Sequence, residues 1–364
     1  MKVFYFPVEH IEARMYSTIQ RKMTEAFEKA GVEYETIAPK LDVSKIDSVG
    51  LVMSAAGHCQ WCLEQMAIFM SRLRSGEVKS GDCCYFDDLW FPGLEAIPYT
   101  AELMNLNIGV YGFIHAGSFT KFDFTNPMSW WARFVEKGWF KFSDLIFVGS
   151  QQTKDDMFRV KLIDNNEYIY GDESDKVKVT GLPFEVDKEK VSQYLPNVVK
   201  ERIVVFPHRD DIDKGVPDLL HLILEIKKHT GKAIRYIVTS GGRPTRQSTQ
   251  ALFKDFPEVE FQPNLSKDEY YRLLAKSKVM FSAAIQENFG VCTQESLAFD
   301  VVPICPNRVS YQYLLPGQFL YEDIANAAIK VIEYLNADIK CSQFCHHPYS
   351  AELIVYHMLL NERK

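Results

Sequence analysis

The residues with the plainest chemical potential lie between Lys278 and Asn307, in KVMFSAAIQENFGVCTQESLAFDVVPICPN. Two carboxylates, Glu287 and Glu295, have seven residues between them. The apolar, small and β-branched run Val279 to Ile285 suits a short buried strand, Val291 to Phe299 carries a helical pattern, and Val301 to Cys305 reads as a second strand. The segment is therefore a strand, a turn containing Gly290, a helix and a strand, a small βαβ unit. With a helix starting near Gly290, Glu295 lies about one and a half turns along it, roughly 7 Å of rise. Both carboxylates can then line one crevice, with the free amides of the helix N-terminus between them. That arrangement offers acceptors for sugar hydroxyls at two points and an anion site in the middle.

Glu287-x7-Glu295 on a strand–turn–helix, with Phe289–Gly290 close behind the first carboxylate, resembles the nucleotide-sugar site of retaining glycosyltransferases of the GT-B, family-4-like group. The resemblance implies that Glu287 contacts the donor sugar and Glu295 holds the ribose hydroxyls. Asn288, Phe289, Gly290 and Val291 complete the donor-binding turn. It also implies the fold: two Rossmann-like, doubly wound α/β domains facing each other across a cleft.

Length and composition agree with that architecture. A chain of 364 residues suggests two cores rather than one. A hydrophobic fraction of 47% and a charged fraction of 24% fit a soluble globular protein. There is no apolar run of membrane-spanning length, and MKVFYFPVEHIEAR lacks signal-peptide architecture, so a cytoplasmic protein without a membrane partner is expected. If the chain is viral, the compartment is the cytoplasm of an infected bacterium. Eight cysteines without a secretory signal read as free thiols. A net charge of −7 argues against a general polyanion-binding coat, though not against a local basic groove.

Alternating strand and helix patterns begin at Lys2 to Pro7 (strand) and Met15 to Ala30 (helix). Further strands are expected at Tyr34–Ile37, Leu51–Ser54, Cys84–Asp87, Ile108–Ile114, Leu145–Val148 and Val177–Val179, and helices at Cys59–Leu73, Leu94–Met104 and from Thr153. The first βα loop, Pro7 to Arg14, has no GxGxxG fingerprint, which excludes a Rossmann dinucleotide site; Glu12 and Arg14 are candidates to reach a substrate there. The expected domains are 1–188 on the acceptor side and 196–340 on the nucleotide-sugar side, with 341–364 a tail whose helix returns to the first domain.

Arg209 and Lys214 follow the first strand of the second domain, and their spacing matches the diphosphate clamp of the resembling family. Two fixed cations facing a departing diphosphate stabilise its developing charge without a metal. No cofactor or metal is therefore expected, the co-substrate being a UDP- or GDP-linked sugar. His115 ends an apolar strand where the family places a histidine near sugar and acceptor. The family has no obvious carboxylate nucleophile, which implies a front-face mechanism with the leaving phosphate oxygen taking the acceptor proton. The cysteine groups Cys59/Cys62/Cys83/Cys84 and Cys341/Cys345/His346 offer zinc ligands as an alternative to the default of buried thiols.

Acceptor candidates are Asp88, Trp90 and Phe91 after one strand and Lys121 after another. The aromatic stretch Phe119 to Phe142 reads chiefly as a core-facing helix with Trp130, Trp131 and Phe134 packed inside, and alternatively as a stacking platform. FPHR at 206–209, ENFGV at 287–291 and CPNR at 305–308 resemble the C-terminal half of tRNA-queuosine mannosyltransferases. EHIEARMYS, FDDLWFPGLEA and GFIHAGSF resemble glycosyltransferases of tailed bacteriophages that decorate hydroxymethylcytosine in DNA with glucose or arabinose. The expected acceptor is thus a modified nucleobase in nucleic acid, with a tRNA, saccharide or small-molecule acceptor as alternatives and a non-catalytic nucleotide-sugar binder as a third class.

Overall fold

The computed structural model describes residues 1–9, 15–41, 48–49, 52–161, 168, 170–171, 173–196, 198–240, 245–345 and 350–362. The chain divides into two units, residues 1–185 with 347–364, and residues 186–346. Among the described residues, no helix is long and apolar enough to cross a membrane.

The first unit is built on β1 (Lys2–Phe6), α1 (Met15–Lys29), β2 (Glu33–Thr36), β3 (Ser48–Val49), β4 (Val52–Met53), α2 (Ala55–Ser75), β5 (Cys83–Phe86), α3 (Ala96–Leu103), β6 (Gly109–Ile114), α4 (Ser129–Phe142), β7 (Leu145–Val148), α5 (Gln151–Arg159) and β8 (Val177–Val179). Six strands form one parallel sheet in the order β2-β1-β5-β6-β7-β8. The central strands are buried on both faces, which is why they read as continuous apolar runs and not as alternating ones. The run expected as a strand at Leu51–Ser54 does not join this sheet: Val52–Met53 pairs antiparallel with Ser48–Val49. Ser54 instead caps α2, its hydroxyl accepting the Gly57 amide at 3.1 Å, so that helix starts four residues earlier than Cys59.

The second unit holds α6 (Lys188–Tyr194), β9 (Ile203–Phe206), α7 (Val216–His229), β10 (Arg235–Val238), α8 (Gln247–Leu252), β11 (Val259–Phe261), α9 (Lys267–Lys276), β12 (Val279–Phe281), α10 (Val291–Ala298), β13 (Val302–Pro306), α11 (Tyr311–Leu314), β14 (Leu320–Tyr321) and α12 (Ile324–Asn336). Its sheet is also parallel, ordered β11-β10-β9-β12-β13-β14. In α7, buried Leu219, Leu222, Ile223 and Ile226 recur at helical spacing, with Pro in the first turn and Lys227, Lys228 and His229 in the last. The short strands β11 and β14 carry too little local pattern to be expected, whereas α12 buries Ala327, Ala328, Val331, Tyr334 and Leu335 at helical spacing, a signal the sequence does carry.

The last helix, α13 (Ser350–Glu362), belongs to the first unit. It lies against α1, with Lys29 Nζ 3.4 Å from Glu352, and Asn361 donates to the Tyr111 hydroxyl at 3.2 Å.

Candidate functional site

In each sheet the strand order reverses once, and the crevice at the carboxyl ends of the two strands flanking the reversal is where such folds bind ligands. In the second unit those strands are β9 and β12. The loop after β9 carries His208 to Gly215, and the loop after β12 carries Ser282 to Gly290.

These loops are locked together. Gly215 has φ +67°, and a Cβ there would sit 2.6 Å from the Ala283 carbonyl oxygen, so only glycine lets the loops approach this closely. The Ile285 amide donates to the Asp213 carbonyl at 2.8 Å. Arg308, after β13, donates to the carbonyls of Ala283 (2.9 Å) and Ala284 (3.1 Å).

Lys214 and Glu287 meet at this junction. Lys214 Nζ lies 2.9 Å from the Gln286 carbonyl, 3.2 Å from Asp213 Oδ2 and 3.4 Å from Glu287 Oε2. Burial opposes the Lys214 charge, but Glu287 and Asp213 outweigh it and hold its pKa above the ordinary lysine value. Burial likewise opposes the Glu287 charge, and Lys214 chiefly keeps that carboxyl below the usual range. Glu287 Oε1 accepts the amides of Asn288 (3.2 Å) and Gly290 (3.1 Å), so in this structure the carboxylate itself occupies amides at the start of α10. Gly290 enters the helix at φ +75°. Phe289 is buried and Val291 half-buried.

Arg209 stands apart from that pair. Its guanidinium is half-exposed and lies 3.2 Å from Asp211 Oδ2. The neighbouring His208 is buried, its Nε2 2.8 Å from Ser282 Oγ, which is 2.9 Å from the Tyr311 hydroxyl. Burial, reinforced by Lys214, drives the His208 pKa down to about 3, leaving a neutral ring.

Glu295 is buried on α10 and accepts from Lys267 Nζ and, at 3.3 Å, from the Tyr271 hydroxyl. Lys267 and Tyr271 are four apart on α9, hence on one face, and a Ser266/Glu269 capping box fixes the start of that helix. Sequence reading missed this pair; its four-residue spacing within KDEYYRLLAK is the available signal. Cys292, donating to the Pro207 carbonyl at 3.4 Å, has its thiol pushed up to about 12 by burial and then by the charges of Glu295 and Glu287, so both carboxylates bear on one buried point.

In the first unit the reversal lies between β1 and β5. His115, at the end of β6, donates from Nε2 to the Asp87 carbonyl at 2.8 Å and packs edge-on against Tyr16. Asp88 accepts the Trp90 amide at 3.0 Å, and burial raises its carboxyl above the ordinary range. Asp87 is pushed up to about 8 by burial, and its Oδ2 takes the Tyr5 hydroxyl at 2.7 Å. Trp90 is half-buried, its indole NH bonded to Glu136 at 3.0 Å. Lys121 is exposed.

Several expectations require correction. Phe91 is buried against Phe6 and Phe86 and is a core residue, which removes it from the acceptor candidates. Trp130, Trp131 and Phe134 are not packed inside: they are 70%, 37% and 46% exposed. Among the described residues no cluster of histidine, cysteine and acid side chains fits a metal ion, and all eight cysteines are free. Glu12, Arg14 and His346 lie outside the described residues.

Sequence reading also missed Glu9 and His58. Buried Glu9, after β1, places Oε2 3.1 Å from His58 Nδ1, and His58 Nε2 is 3.7 Å from Cys62 Sγ. Burial alone would depress the His58 pKa; Cys62 and Glu9 outweigh it and push it up to about 11, a cation at neutral pH.

Residues 187–314 match the family model described as glycosyl transferases group 1. A tRNA-queuosine alpha-mannosyltransferase of Drosophila melanogaster is 25% identical over 175 residues, 45% of this chain and 42% of that protein, so the chain matches less than half the length of this curated relative. Among solved structures, a sucrose-phosphate synthase of Thermosynechococcus elongatus aligns over 100% of this chain and 96% of its own, with TM-score 0.62 and 13% identity. The catalytic domain of starch synthase IV from Arabidopsis thaliana, bound to ADP and acarbose, aligns over 100% and 99%, with TM-score 0.62 and 13% identity. The second unit is therefore built on a group 1 glycosyl transferase domain, within a chain that has the two-unit α/β fold of GT-B glycosyltransferases.

Proposed function

We propose that this chain is a retaining, metal-independent glycosyltransferase that moves a sugar from a UDP- or GDP-linked donor to a hydroxyl on a modified nucleobase in nucleic acid, hydroxymethylcytosine in DNA before others. The observation that carries the donor half is the Lys214–Glu287 pair at the reversal between β9 and β12. Glu287 is an ionised, mostly buried acceptor suited to sugar hydroxyls. Lys214 beside it, with Arg209 from the same loop, supplies fixed positive charge for a diphosphate.

In the reaction the bond from the anomeric carbon to the diphosphate oxygen breaks and its electron pair leaves with the nucleoside diphosphate. The acceptor oxygen forms its bond to the same face of that carbon, and its proton passes to the departing phosphate oxygen. The charge that grows on the diphosphate is met by Lys214 and Arg209, which is the basis for proposing that no metal is needed. Glu295 takes the ribose hydroxyls, with Lys267 and Tyr271 holding its carboxylate in place. His115, Asp88, Trp90 and Lys121 serve the acceptor. A cytoplasmic enzyme, in a phage-infected host or otherwise, suits such a substrate.

The tRNA-queuosine alpha-mannosyltransferase relative favours a second reading, with a hypermodified base of tRNA as acceptor. Incubating the protein with a panel of nucleotide sugars, and with hydroxymethylated DNA or tRNA, tests both. A hexose or pentose mass increment on hydroxymethylcytidine is the expected result. An increment on a tRNA nucleoside alone selects the second reading, and donor hydrolysis without transfer to either nucleic acid overturns the nucleobase acceptor.

A further inference from the structure

The aromatic side chains exposed on and just before α4 are not used by the fold of the first unit. Phe124 is 76% exposed, Trp130 70% and Phe134 46%. Trp130 and Phe134 are four apart on one helix and so share a side of it. Beside them, Arg133 donates to the Lys161 carbonyl at 2.8 Å, and Lys161 lies over the ring of Tyr168, itself 46% exposed. Rings of this size left in water mark an interaction surface.

Charge indicates the occupant. Between Phe119 and Phe142 there are four Lys or Arg against two acids, in a chain of net charge −7. Of the two acids, Glu136 is turned inward and consumed: it accepts from the Ser118 amide and hydroxyl, the Trp90 indole and the Tyr170 hydroxyl. Of the four cations, Lys141 is paired with Glu173, so the face combines flat apolar rings with the positive charge of Lys121, Arg133 and Lys137 on an otherwise acidic protein. That pairing suits a strand whose bases stack on rings while its phosphates meet lysines. The face is also continuous with the acceptor candidates, since exposed Trp131 sits edge-on to Trp90, ring centres 6.5 Å apart, and Trp90 follows Asp88 at the end of β5.

We infer that the α4 face, centred on Trp130 and Phe134 and preceded in sequence by exposed Lys121 and Phe124, docks a DNA strand next to the base being modified, with unstacked bases lying on the rings. This rests on the nucleobase reading above. The sugar-donor loops of the second unit take no part in it.

The test compares wild type with Trp130→Ala/Phe134→Ala and with Lys121→Glu, using fluorescein-labelled hydroxymethylcytosine DNA as single strand and as duplex. Fluorescence anisotropy reports binding, and sugar transfer is measured separately. Because Trp130 and Phe134 are exposed, the double aromatic variant should keep the wild-type melting temperature and donor hydrolysis. The double aromatic variant should bind DNA at least about tenfold more weakly, the scale of losing a stacked base. Lys121→Glu should weaken binding more at low salt than at high salt. If both variants bind DNA as tightly as wild type while wild type glycosylates it, the docking face is refuted and the nucleobase reading stands. If wild type neither binds nor glycosylates DNA, the nucleobase reading fails and takes the inference with it. Loss of binding to phosphatidylserine vesicles, or to unmodified tRNA, without loss of DNA binding would assign the face to lipid or RNA and overturn the inference.

Discussion

Lys214 Nζ lies 3.4 Å from Glu287 Oε2, and the two residues, 73 positions apart in sequence, come from loops that leave adjacent parallel strands. Their side chains are only 12% and 19% exposed, and Lys214 also answers for Asp213, equally buried at 3.2 Å. Removing one partner leaves a buried ion without compensation. Lys214→Ala should therefore lose about 3 kcal/mol or more of unfolding free energy in urea, whereas Lys214→Met combined with Glu287→Gln should recover only part of it, because Asp213 still lacks its partner. Turnover should fall by roughly a hundredfold in either variant, the scale of losing a preorganised charge stabiliser. Nucleoside affinity should be nearly unchanged in the double variant, and its collapse would contradict the diphosphate role of Lys214.

Glu295→Ala should weaken nucleotide-sugar binding measured by calorimetry. Each charge-assisted bond to a ribose hydroxyl contributes about 1.5–3 kcal/mol. Lys267→Ala should give a smaller effect in the same direction, because Tyr271 still holds the carboxylate at 3.3 Å. Equal donor affinity in wild type and Glu295→Ala would remove Glu295 from the ribose site.

Gly215→Ala combines a left-handed backbone with a Cβ that would fall 2.6 Å from a carbonyl oxygen of the β12 loop. Backbone atoms cannot yield as a flexible side chain can, so the loops must separate. The variant should melt several degrees lower, with donor affinity falling alongside, whereas Gly231→Ala, where a Cβ meets nothing within 4 Å, should behave as wild type.

Acid should weaken the second unit through His208. Its folded pKa is near 3, depressed by burial and by Lys214 and Arg209 against the opposing charge of Glu287. An unfolded histidine titrates near 6.5. Below about pH 6.5 the unfolded chain binds a proton that the folded chain refuses, so stability is fully present above that pH and is lost as pH falls toward 3. The slope is about 1.4 kcal/mol per pH unit for this one group. Urea unfolding of His208→Asn between pH 6.5 and 4 should show a correspondingly flatter pH dependence; an unchanged slope would show that His208 is not buried neutral.

Sugar transfer should survive saturating EDTA, because Lys214 and Arg209 already present positive charge to the diphosphate. Complete loss with chelator, restored by manganese, would require a different scheme for stabilising the leaving group.

Much of this molecule can be read along the chain. Buried parallel strands announce themselves as unbroken β-branched and aromatic runs, as in IVVF of β9 and LIFV of β7, because both faces are covered and no alternation survives. Glu287, Gly290 and Glu295 belong to one local strand–turn–helix, so their spacing alone places the carboxylates at the entry and in the body of one short helix. What depends on pairing between distant segments could not be read this way. Lys267 and Tyr271 reach Glu295 from another helix, and Glu9 reaches His58 across 49 residues of sequence. The side a ring presents to solvent is equally nonlocal: in WWARFVEKGWF aromatic rings stand on the charged side of the helix as well as on the apolar one, so their presence alone does not say which are covered. Only the tertiary structure decides that Trp139 and Phe140 turn inward while Trp130 and Phe134 stay in water, because the sheet and the loop at Ser118 have room for one side of the helix alone.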